Sequence, residues 1–102
     1  MSAPRPITVI ARWQAGGGSF ETILGLIAEL RPRTLAEPGC LGYDVFRHID
    51  SPGELLLVER YRDESALEAH RASEHYQDFV VHRIIPLLAS REVDILVPRG
   101  GA

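Results

Sequence analysis

The chain has 102 residues, 45% of them hydrophobic and 25% charged, with 11 basic against 14 acidic side chains and a formal net charge of −3. That suits one domain spanning 1–102 with a thin core, and it excludes a disordered chain and a basic nucleic-acid binder. All the basic residues are Arg, so lysine Schiff-base chemistry is excluded, and the single Cys40 cannot form an internal disulfide. No apolar run approaches the roughly 20 residues that cross a bilayer. A cytoplasmic protein without membrane contact is expected.

Residues 1–6 read as a flexible, proline-bearing arm. A strand is predicted over 7–14, with Ile7, Val9, Ala11 and Trp13 on one face at period two. The "AGGGS" segment ends it, and Ser19 can cap a helix whose stripe runs Phe20, Ile23, Leu24, Ile27, Leu30 and Leu35. Pro32 is expected to kink that helix or split off its last turn. At "EPGC" the helix stops, because Pro38 disfavours helix at Glu37 and Gly39 can take a left-handed conformation; the turn is read as structural.

Strands over 41–49 and 55–62 flank the turn "DSPGE" and should form an antiparallel hairpin. Asp63 or Ser65 can cap a short helix, and Ser73 a second one running on from Glu74. A fourth strand is predicted over 91–98, with 99–102 flexible. The order β-α-β-β-α-β is that of a ferredoxin-like α+β fold, a four-stranded antiparallel sheet with helices on one face. In the third strand, either Leu56, Val58 and Arg60 or Leu55, Leu57, Glu59 and Tyr61 face away from the helices. Both sets contain leucines, so a homodimer that covers the second face is expected.

Several blocks carry a family pattern. Glu37, Pro38, Gly39, Cys40 and Tyr43 form the first; Glu59, Asp63, Ala66, Leu67 and His70 the second; Ser73, His75 and Phe79 the third. From about Ile7 to Val97 the chain resembles the antibiotic biosynthesis monooxygenase family. The resemblance implies a dimeric α+β barrel with a pocket between sheet and helices, and oxidation of a small aromatic or quinol substrate by O2 with no cofactor. Tyr61 stands where the pattern E-x-W carries Trp, and the only Trp is Trp13. The haem-degrading branch relies on an Asn-Trp-His set, and this chain has no Asn.

Such a reaction needs a base, a group that stabilises an oxyanion and a dry chamber. His70 and His75 are the candidate catalytic residues, since the unperturbed imidazole pKa is about 6.5. His70 follows Leu67 by three positions and so shares its helix face. Tyr43 and Tyr61 can offer hydroxyls to a quinol oxygen, and Glu59 can orient a histidine. Trp13, Tyr76 and Phe79 are the expected aromatic walls. No metal is expected, because no Cys cluster or H-x-x-x-H spacing occurs. The alternatives are a dimeric protein that binds a small molecule without turnover, and an isomerase in which a histidine moves a proton.

Overall fold

The computed structural model describes residues 5–100. Of the termini expected to be flexible, residues 1–4 and 101–102 lie outside it. Arg5 is held, its Nη2 donating to the Pro98 carbonyl at 2.6 Å. The elements are strand β1 (Ile7–Ala15), helix α1 (Phe20–Leu35), strands β2 (Cys40–Arg47) and β3 (Glu54–Tyr61), helix α2 (Glu64–Ala72), a π-helix (Tyr76–Ile84), a 3₁₀ turn (Ile85–Leu87) and strand β4 (Leu88–Leu96). The sheet is antiparallel throughout in the order β2-β3-β1-β4. This is the ferredoxin-like α+β fold.

Period-two alternation sets the faces. In β1 the residues Ile7, Val9, Ala11 and Trp13 are buried under the helices, as their spacing predicts. In β3 the set Leu55, Leu57, Glu59 and Tyr61 turns inward, and Leu56, Val58 and Arg60 occupy the open face. That choice puts a carboxylate and a phenol into the core. On the open face, Phe46, Leu56, Val58, Ile10 and Leu96 alternate with charged side chains, and Phe46 is 53% exposed.

Five local expectations are corrected. Helix α1 runs through Pro32 to Leu35 without a break; the ring forfeits one hydrogen bond, and the following N–H of Ala36 still reaches the Pro32 carbonyl. Its buried stripe ends in Thr34, one turn after Leu30, while Leu35 is exposed. Ser19 makes no side-chain cap; its hydroxyl donates to the carbonyls of Gly16 and Leu87 and pins the loop to the start of β4. The segment after Ser73 winds mainly as a π-helix, and β4 begins at Leu88, three residues before the expected 91.

The turn at Glu37–Cys40 does not use a left-handed glycine. Positive φ occurs at Gly18 and at Gly53, the latter in the β2–β3 connection, and not at Gly39. Gly39 is required for close approach: a Cβ there would overlap the Ala66 Cβ and stand 3.4 Å from its Cα. The turn is held by Glu37 N–H to Thr34 O, Cys40 N–H to Glu37 O and Arg62 N–H to Gly39 O. It is thereby pressed against α2.

Gly39→Ala must push the turn off α2, an overpacking cost of about 1–3 kcal/mol. Urea denaturation should show that loss; a variant as stable as the parent would mean the contact is slack.

Candidate functional site

Helix α2 is short and well capped. Asp63 Oδ1 accepts from the Ala66 N–H at 2.8 Å, and Ala66, Leu67 and His70 form its buried stripe. Of the two caps considered for this helix, Asp63 is the one used. Ser73 closes α2 by donating to the His70 carbonyl, and its oxygen accepts from the Tyr76 N–H at 3.2 Å, starting the next helix. One serine therefore sets the corner between His70 and His75. The Gly39–Ala66 contact brings Glu37 to the same corner.

The result is a continuous polar chain through the core. His75 Nε2 lies 2.5 Å and His70 Nδ1 2.8 Å from the same oxygen, Glu37 Oε2. His70 Nε2 faces Glu59 Oε1 at 3.6 Å, and the Tyr61 hydroxyl donates to that oxygen at 2.6 Å. His70 is 3% exposed, Glu59 7% and Tyr61 fully buried. Tyr61 and Tyr76 flank the His70 ring, with centroids 4.9 and 5.0 Å away.

An ionised carboxylate only accepts hydrogen bonds, so both ring nitrogens facing Glu37 carry protons. Neutral His70 then holds its proton on Nδ1 and leaves the Nε2 lone pair free on the Glu59 side. A proton taken up at Nε2 creates an imidazolium between two carboxylates. Glu59 itself is pushed above the ordinary carboxyl range by burial, with the Tyr61 hydrogen bond and the His70 charge pulling it back. Burial, then the Glu59 charge, pushes Tyr61 far up, and Tyr43 moves the same way for the same reasons. Both phenols stay protonated and act as O–H groups. Cys40 is raised by burial and stays a thiol, not a nucleophilic thiolate.

Beside this chain, between sheet and helices, lies a cavity of about 30 Å³. Glu59 and His70 form its polar side and Trp13, Tyr43 and Tyr76 its aromatic walls. Arg71, Arg91 and Val93, all exposed, bound its outer side. A cavity that encloses benzene measures on the order of 150 Å³, whereas this one suits a water or a dioxygen molecule. The chamber expected to enclose a small aromatic is thus smaller than a ring in this structure.

Five of the eight sequence-predicted residues therefore meet at the cavity: Trp13, Tyr43, Glu59, His70 and Tyr76. Tyr61 stands behind Glu59. His75 lies beyond Glu37 on a surface groove shared with Phe79 and His82. Phe79 is buried away from the cavity, its ring under the guanidinium groups of Arg33 and Arg83 at 5.0 and 4.7 Å. In the sequence Glu37 is legible only as part of a turn; its sole signal is its place with His70 and His75 in the same set of blocks.

The donor atoms of Glu37, His70 and His75 lie within 4.8 Å of one another, a set chemically suited to a divalent ion. Tetrahedral zinc with bonds of about 2.0–2.1 Å spaces its ligand atoms roughly 3.4 Å apart. Separations of 2.5 and 2.8 Å are those of hydrogen bonds, so protons bind this group together in the arrangement seen.

Comparison with known proteins gives a consistent match. The sequence model of the family described as antibiotic biosynthesis monooxygenase matches residues 6–81. A Mycobacterium tuberculosis protein named "Putative monooxygenase Rv0793" is 39% identical over 74 residues, 72% of each chain. The solved structure of Rv0793 superposes with a TM-score of 0.86 at 36% identity, covering 95% of this chain and 98% of that one. A conserved protein from Methanosarcina mazei Go1 superposes at 0.88 with 26% identity over 93% and 94% of the two chains. PA3566 from Pseudomonas aeruginosa does so at 0.87 with 29% identity over 97% and 99%.

The raised Glu59 pKa has a measurable sign. The folded chain keeps the Glu59 proton at pH values where the unfolded chain has lost it. Its contribution is fully present below the unfolded carboxyl pKa and is lost as pH rises from there through the raised folded value. Glu59→Gln should therefore gain stability relative to the parent as pH rises from about 4 to 8. Urea titrations across that range would read it, and a pH-independent difference would mean that Glu59 is solvated in the fold.

Proposed function

The chain belongs to the antibiotic biosynthesis monooxygenase family, and on that premise we propose that it oxidises a phenolic or hydroquinone substrate with O2, without a bound cofactor and with His70 as the base. The observation that carries this reading is the environment of His70. Glu37 holds the proton on Nδ1, and Nε2 lies on the wall of a small cavity opposite Glu59. The substrate oxygen enters, and His70 Nε2 takes its proton. Glu59 balances the charge on the imidazolium. The Tyr43 hydroxyl on the same wall can donate to the developing oxyanion.

The electron balance closes without an external reductant. Hydroquinone plus O2 gives hydroxyquinone plus water. One oxygen atom bonds to a ring carbon, the O–O bond breaks, and the other leaves as water with two protons. The substrate supplies all four electrons. His75 lies on the groove side of Glu37, so the hydrogen-bonded network that starts at His70 extends to the surface. The reading places the protein in the cytoplasm, where Cys40 remains a free thiol.

A second copy belongs to the same reading. The helices cover β1, β2 and β3 on one side only, and the open face presents Phe46, Leu56, Val58, Ile10 and Leu96. Two such faces packed together form a homodimer with two-fold symmetry.

Oxygen-electrode assays with a panel of hydroquinones test the chemistry. His70→Gln, checked for folding by circular dichroism, should lose roughly 10²–10⁴-fold in rate, the scale of a missing general base. Uptake that survives the substitution rules out His70, and saturable binding with no uptake establishes the binding-only alternative. Light scattering should give twice 11.3 kDa for the parent, and Leu56→Asp on the open face should reduce this to a monomer. A monomeric parent removes the dimer.

A further inference from the structure

Trp13 is the only tryptophan in the chain. It is 3% exposed, lines the cavity, and its indole Nε1 is a buried donor with no hydrogen-bond partner among the described residues. Buried donors nearly always have an acceptor, and the cavity beside this one has room for a single oxygen-bearing group.

A second observation lies at the rim. Arg91 is the register partner of Trp13 across β1 and β4, so their side chains share the inner face. Arg71 follows His70 directly and bounds the same opening. Among the described residues neither arginine is paired with a carboxylate, a lack that Arg5, Arg33, Arg47 and Arg60 share; Arg71 and Arg91 differ from these in bounding the cavity. The cavity wall thus includes a tryptophan whose buried N–H has no partner, and its rim carries two arginines without a carboxylate. A carboxylate, which arrives already charged, is disfavoured at the inner end, where Glu59 already sits and burial penalises charge. At the exposed rim two guanidinium groups favour one, and their planar forks match a carboxylate.

We propose that the ligand of this site is a hydroxylated aromatic carboxylate, whose ring oxygen accepts from Trp13 Nε1 beside His70 and whose carboxylate rests on Arg71 and Arg91. This inference rests on the function proposed above and narrows its substrate class. The ring stays in the mouth, since the cavity admits only the oxygen. Trp13 is then the residue that fixes the oxygen, and the two arginines select the acid.

A single tryptophan gives a single indole N–H cross-peak in a proton–nitrogen correlation spectrum of isotope-labelled protein. Gentisate should move that peak downfield and bind about tenfold or more tighter than hydroquinone, the scale of one charge-assisted hydrogen bond. The double variant Arg71→Gln, Arg91→Gln should lose that preference, bringing the gentisate affinity to the level of hydroquinone on the same variant. Equal affinity for the two ligands, or gentisate binding with an unmoved indole peak, overturns the assignment. Oxygen uptake with hydroquinone alongside either result leaves the monooxygenase standing. Gentisate binding with a shifted peak and no uptake sinks the monooxygenase and keeps the subsite, and no binding of either ligand sinks both.

Discussion

The site depends on one carboxylate shared by two imidazoles. Glu37 Oε2 accepts from His70 on α2 and from His75 at the start of the π-helix, while Glu37 itself sits in the turn between α1 and β2. Three segments far apart in sequence are closed onto a single oxygen atom. Both rings and the carboxylate are mostly out of solvent, so none of the three can lose its partner cheaply. The same bond that holds the corner also selects the tautomer of His70, which links packing to proton chemistry.

Around that bond the core is divided. One apolar cluster gathers residues such as Ile23, Leu30, Leu57 and Trp13, and a smaller one gathers Ile7, Val9, Tyr61, Ala66 and Leu67. The cavity draws its lining from both, so it lies at their seam. A domain of this size buries only about two thirds of its unfolded surface and has little apolar area in reserve. Placing Glu59 and His70 in the interior has a stability cost that only a satisfied network offsets, and Tyr61 with Glu37 completes that network.

The π-helix alters what the third helical segment presents. Its hydrogen bonds skip one residue further than those of an α-helix, so the turns are wider. Tyr76 and Val80 line the cavity, while Phe79 faces the arginines Arg33 and Arg83. Beyond Pro86 the chain passes directly into β4, which no helix overlies, and its Val93, Ile95 and Leu96 are exposed on both faces of the sheet. Thus the cavity opens past this edge strand.

Local chemistry was enough to determine the element order, the antiparallel sheet, the shared face of Ile7, Val9, Ala11 and Trp13 in β1 and the shared helix face of Leu67 and His70, because each follows from period, propensity or a turn residue a few positions away. Resemblance as much as spacing also singled out Trp13, Tyr43, Glu59 and Tyr76, which line the cavity. Four matters were decided only by tertiary contact. They are the face of β3 that turns inward, the need for Gly39, the wider turns after Ser73 and the meeting of Glu37 with two histidines. The β3 alternation is equally apolar both ways. Gly39 is explained by Ala66, more than twenty residues later, and Glu37 reaches rings 33 and 38 positions on. Contacts at such separation leave no periodic trace in a single sequence, since what fixes them is the shape of the packed layers and not any preference of the residues themselves.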